Sequence, residues 1–112
     1  MSLDVYLSAT RKTEVYSSNI THNLGKMAGK VKCGDHSLYE YLWRPDEINI
    51  KQAGELIMPL QEGLKELKAH PEIYKKYNAK NGWGLYKHFV PFVENYLTAC
   101  EENPDAEIDI SR

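Results

Sequence analysis

The sequence predicts an α+β fold, a small antiparallel sheet built from the N- and C-terminal strands and covered by a helical middle of three to five helices. Three observations carry this. Leu3, Val5 and Leu7 alternate with polar or aromatic neighbours, and Ala106, Ile108 and Ile110 alternate in the same way after the turn-forming run Asn103-Pro104-Asp105. Between these ends, apolar residues recur at helical rather than strand spacing. A chain of 112 residues is one domain's worth, so residues 1–112 are read as a single domain.

The elements follow in order. Residues 3–7 form the first strand, and Glu14-Val15-Tyr16 follows after the polar stretch Ser8 to Thr13, which predicts a hairpin. Ile20, Leu24, Met27 and Ala28 then fall on one helical face, with Ser17, Ser18 or Asn19 as N-cap and Gly29 as terminator. A second, short helix, with Asp35 as its cap, runs through Leu38, Tyr39, Leu42 and Trp43 and ends at Arg44, because Pro45 disfavours helical geometry in the residue before it. Ala53, Leu56, Ile57, Leu60, Leu64 and Leu67 mark the clearest helix, over roughly 50–69, which Pro71 ends. Pro71 can open one more helical turn, and Leu85, Phe89, Phe92, Val93, Tyr96 and Cys100 mark a last helix near 84–101. Pro59 and Pro91 fall inside the long helices, where each removes a backbone bond; two bent helices would leave a cleft, although Pro91 can equally begin a helix of its own. The C-terminal strand closes the sheet, beside the first.

Composition narrows the function classes. With 42% hydrophobic residues, eight Tyr and two Trp, the chain has the makings of a core, and its net charge of −2 gives no global field for nucleic acid or for an anionic membrane. No stretch approaches the ~18 apolar residues of a spanning helix, and the start of the chain lacks the pattern of a secretory signal, so the expected location is the cytoplasm. Cys33 and Cys100 fit no zinc or redox spacing; Cys100 reads as core, and Cys33 beside Gly34 reads as a residue that can be exposed. The four histidines share no metal-binding spacing, and no Gly-rich phosphate loop or nucleophile elbow is present. No metal and no cofactor are expected.

Three short motifs remain as candidate ligand contacts. Asn19, Thr21, His22 and Asn23 crowd hydrogen-bonding side chains at the start of the first helix, where free backbone N–H groups favour an anion. Plain helix capping explains the same residues and is commoner. Trp43-Arg44-Pro45 joins a flat aromatic to a planar cation, suited to stacking a ring and pairing with its phosphate or carboxylate, or else to a core indole and a surface ion pair. Asn81-Gly82-Trp83-Gly84 sets an indole between glycines that admit close approach of a ligand, or else forms a turn capped by an apolar side chain. His88 and Asn95, seven residues apart, share one flank of the last helix and could line a cleft wall.

The runs Ser2 to Leu7, Asn19 to Leu24, Leu42-Trp43-Arg44-Pro45 and Asn81-Gly82-Trp83-Gly84 resemble a family of small proteins encoded by bacteriophages and prophages. The resemblance spans nearly the whole chain and brings no established activity or ligand with it. Compact phage accessory proteins often act by binding something of the host, so the resemblance implies a host ligand or host protein as partner. The leading expectation is a non-enzymatic binder of a small anionic ligand, a nucleotide among the candidates, using Asn19, Thr21, His22, Asn23, Trp43, Arg44, Asn81, Trp83 and His88. Second comes a module that binds a host protein, or a second copy of itself, through Tyr39, Tyr41, Tyr74 and Tyr77. Third is a small hydrolase with His22 or His88 as general base.

Overall fold

A computed structural model describes residues 2–9, 14–80, 82 and 84–112. It contains the expected small antiparallel sheet with helices against it. Strand β1 (Ser2–Ser8) lies at the centre, flanked by β2 (Glu14–Thr21) and β5 (Glu107–Ser111) in the order β2-β1-β5. Leu3 faces Ile20, Val5 faces Ser18 on one side and Ile110 on the other, and Leu7 faces Tyr16 and Ile108, so one sheet face is apolar. That face carries the fully buried Leu3, Val5 and Leu7.

The main revision concerns the second segment. Asn19 and Ile20 belong to β2 and not to a helix, because the hairpin continues through Thr21 opposite Ser2. Tyr16, Ser18 and Ile20 satisfy a period of two as well as Ile20 and Leu24 satisfy a helical one, and the cross-strand contact of Ile20 with Leu3 favours the strand. Helical backbone begins only after Thr21, with a 3-10 turn over His22–Leu24 and the short α1 (Gly25–Gly29). The N-cap is Thr21, as the plain capping reading of the first motif allowed, and not Ser17, Ser18 or Asn19.

A two-residue hairpin, β3 (Lys32–Cys33) and β4 (His36–Ser37), turns at Gly34, whose φ of 75° suits glycine. It leads into α2 (Leu38–Trp43), and Ser37, not Asp35, caps that helix. Ser37 and Glu40 form a capping box in which each side chain accepts from the other's backbone N–H, at 3.4 and 3.2 Å. These bonds, with His36 alongside, hold the Glu40 carboxyl below its ordinary range. Arg44 ends the helix as expected.

A 3-10 turn over Ala53–Leu56 precedes α3 (Ile57–Ala69), so Pro59 is the third residue of its helix, where N–H groups lack helical partners anyway. No interior proline interrupts α3. The short α4 (Pro71–Lys75) follows, then α5 (Tyr86–Glu102), which does contain Pro91 within it and leaves the Lys87 carbonyl without its helical donor. Phe89, Phe92, Val93 and Tyr96 of α5 join the sheet residues, Leu24, Met27, Trp43, Leu60 and Leu67 in one core.

Two close fits set the spacing of this core. A Cβ on Gly63 of α3 would lie 2.9 Å from Leu38 and 3.1 Å from the Cys33 sulfur, so α3 meets the β3 hairpin and α2 at backbone distance. Cys33 is therefore buried, contrary to expectation, and burial together with Glu62 and Glu66 pushes its thiol up to about 12. Tyr96 is fully buried, stacked on Tyr16 with ring centroids 6.0 Å apart, and among the described residues its hydroxyl has no hydrogen-bond partner.

Candidate functional site

The end of β2 and the end of α2 meet. Thr21 accepts the Asn23 N–H at 3.3 Å, closing the 3-10 turn and turning His22 toward α2, where its Nδ1 accepts the Trp43 indole N–H at 2.8 Å. An indole nitrogen only donates, so Nδ1 carries no proton and the neutral ring is protonated at Nε2. The one lone pair that His22 could offer as a base is already taken. Trp43 itself is 2% exposed and stacked on Tyr39, at 5.3 Å between ring centroids and 15° between planes. Its face is used by the core, so it has none to offer a ligand.

Arg44 lies beside this pair, half-buried. Its Nε donates to the Tyr39 hydroxyl at 3.4 Å and its terminal nitrogen meets Glu47 at 2.8 Å, and these two partners raise its pKa further above the ordinary guanidinium range. The ion-pair reading of Arg44 therefore has its partner, Glu47.

A different set of side chains surrounds open space. Asn23, in the 3-10 turn before α1, and Lys26, in α1, face the segment from Lys76 to Lys80 across a groove of about 460 Å³. Its lining is Asn23, Lys26, Lys76, Tyr77, Asn78, Ala79 and Lys80: three lysines and no carboxylate. Among the described residues, none of the three lysines forms an ion pair. A fourth, Lys30, stands 5.9 Å above the Tyr77 ring.

The far wall is pinned by backbone. The Asn78 side chain accepts the Tyr86 N–H at the start of α5 at 2.8 Å, and the Ala79 N–H donates to the Gly84 carbonyl at 2.9 Å. Gly84 is required at its position. Its φ is 137°, and a Cβ there would lie 2.9 Å from Asn23 Cβ and 3.5 Å from Thr21 Cγ2. Gly84 is thereby seated on the β2–α1 corner, so this residue of the third motif lies against the first.

Of the expected contacts, Asn23 lines the groove, Thr21 and His22 build the corner behind it, and Trp43 supports that corner from the core. Asn19 projects from β2 opposite Asp4, exposed and outside the groove lining, and His88 is exposed on α5 and also outside it. Asn81 and Trp83 lie outside the described residues. The expected exposed tyrosine surface does not form as a unit: Tyr41 and Tyr74 are buried at 8% and 4% exposure, with hydroxyls bonded to the Cys33 carbonyl and to Glu66.

The lysines escaped motif reading because they match no motif. The signal available was a subtraction: residues 15–34 and 73–93 contain seven lysines and not one Asp or Glu, in a chain whose net charge is −2. Those are the two stretches that meet at the groove. No family model matches the sequence, and neither a curated protein nor a solved structure is significantly similar to it. Among the described residues no cluster of His, Cys, Asp or Glu is suited to a metal, and no helix is long and apolar enough to cross a membrane.

Proposed function

We propose that this chain is a non-enzymatic binding protein whose groove between α1 and the 76–80 segment holds a small anionic ligand. The observation that carries the reading is the groove's charge: three lysines and, among the described residues, no carboxylate in the lining and no counter-ion, in a volume within the ~300–1,000 Å³ of small-molecule sites. Unpaired like charges destabilise a fold unless something pairs with them, and a bound anion does so. Lysines act as mobile point charges, suited to a phosphate or carboxylate approached from several sides. Asn23 and Asn78 add directional polar groups, and Tyr77 adds an aromatic wall, which together suit a phosphorylated compound with a flat ring. The sequence's resemblance to phage-encoded proteins supports a host metabolite as its source.

The same geometry disfavours the hydrolase alternative, since the His22 lone pair is bonded to Trp43 and His88 lies outside the groove lining. Isothermal titration calorimetry with inorganic phosphate, pyrophosphate and ATP tests the proposal. Saturable binding that weakens with salt and falls at least tenfold in the Lys26→Ala/Lys76→Ala/Lys80→Ala variant is expected. Unchanged affinity in that variant, still folded by circular dichroism, overturns it. Native mass spectrometry before and after denaturation supplies the mass of any ligand retained on purification.

A further inference from the structure

At β5, away from the lysine groove, the sheet edge is only half covered. The segment around Gln52 bridges Glu107, with the Ile108 N–H donating to the Lys51 carbonyl at 2.9 Å and the Ala53 N–H donating to the Ala106 carbonyl at 2.9 Å. The chain then leaves the strand, because the Ile50 N–H turns back to the Pro45 carbonyl at 2.9 Å. In an antiparallel ladder, alternate residues point their backbone groups to the same side. Ile108 bonds outward, away from β1, so Ile110 also presents its N–H and C=O outward, and among the described residues no backbone group outside the sheet pairs with them.

That open edge coincides with a furrow. Two adjoining cavities of about 240 and 630 Å³ share Asp46, Ile50 and Ile108. The half-buried Ile50, Ile108 and Ile110 supply apolar lining. Glu55 and Glu107 line the larger cavity and Asp109 the smaller, and none of these three carboxylates has an ion-pair partner among the described residues. Of the two cations present, Arg112 is already committed, to Asp46 at 2.7 Å and to the Trp43 carbonyl at 3.0 Å, which leaves Lys51 against three free carboxylates.

We infer that the outer edge of β5 is a docking site for an extended, basic segment of a partner protein, one that alternates Lys or Arg with branched aliphatic residues. An added strand would bond to Ile110 through its backbone. Because side chains alternate along a strand, it would set its aliphatic residues on the isoleucine lining and its cations toward Glu55, Glu107 and Asp109. Charge complementarity selects this occupant: an acidic or neutral strand would find the same backbone edge but would leave the carboxylates unpaired. The site is independent of the lysine groove and repels what that groove attracts.

The test is an amide ¹H–¹⁵N NMR titration of the full chain with a capped hexapeptide of alternating lysine and valine, and with its glutamate-for-lysine counterpart. Saturable shifts centred on Ile108 and Ile110 with the lysine peptide alone are expected, weakened at least tenfold in Glu55→Lys/Glu107→Lys. Both changes fall on exposed side chains, and the spectrum itself reports that the variant stays folded. Equal binding of both peptides, shifts confined to other regions, or no saturation overturns the inference. So do shifts of Ile108 and Ile110 that depend on protein concentration without peptide, which would assign the edge to a second copy of the chain.

Discussion

The lysines that line the groove and the two arginines near β5 are handled in opposite ways. Between α1 and the 76–80 segment, Lys26, Lys76 and Lys80 line an open groove without a carboxylate among them, whereas near β5 Arg112 reaches back to Asp46 and to the Trp43 carbonyl, and Arg44 finds Glu47. Paired charges at a surface contribute little and settle local geometry. Unpaired like charges gathered around one groove oppose folding slightly, a cost that the proposed anion would offset. The contrast separates arginines that hold the chain together from lysines that, under the proposed function, meet a ligand.

The largest break in that contrast is expected from Gly84→Ala. A side chain at φ 137° whose Cβ lies 2.9 Å from Asn23 must push the groove wall off its corner, at a cost of about 3 kcal/mol, read by urea denaturation. Loss of anion affinity should accompany it, and an unchanged midpoint would show that the wall is not seated on Asn23. Next comes His22→Ala. It leaves the buried Trp43 N–H without an acceptor, worth about 1–3 kcal/mol, and most of that loss should vanish in a Trp43→Phe background.

A smaller loss is expected from Arg112→Ala, and acid sharpens it. The bond from Arg112 holds the Asp46 carboxyl below its ordinary 3.8, and the Ser37 backbone bond holds Glu40 below 4.5. Each contribution is fully present above those values and is lost as pH falls through the lower folded-state pKa. The protein should therefore lose stability with falling pH below about 4.5, and Arg112→Ala should flatten the part of that slope belonging to Asp46. Parallel acid slopes in the two proteins would count against the pairing. Smallest, and opposite in sign, is the triple lysine variant, whose stability in the absence of ligand should rise by no more than about 0.5 kcal/mol in thermal melts at low salt.

The sheet was legible because alternation at both ends of the chain admits one reading. Leu3, Val5, Leu7, Ile108 and Ile110 have side chains that suit a strand with one buried face, and the turn before β5 is written in Asn103-Pro104-Asp105. The boundary of β2 was not legible, since Ile20 fits either period and only its cross-strand partner Leu3 decides. Pro59 misled for a related reason: its effect depends on where the helix starts, and the 3-10 turn before α3 shifted that start toward it. The site was half legible. Residues that hydrogen-bond locally, such as Thr21 and Asn23, announce a corner, and the corner exists. Lysines distributed over two segments announce nothing until tertiary structure brings the segments together, and Trp43, read as a ligand platform, was drawn into the core by His22 and Tyr39.

The hydroxyl of Tyr96 leaves the fold with headroom. Enclosed among Tyr16, Phe92 and the rest of the core, with no acceptor among the described residues, it bears a dehydration cost that no bond there repays. Tyr96→Phe keeps the stacked ring and discards the oxygen, so this one position is where a hardened version of the protein, able to tolerate more drastic substitutions at either groove, is most simply made.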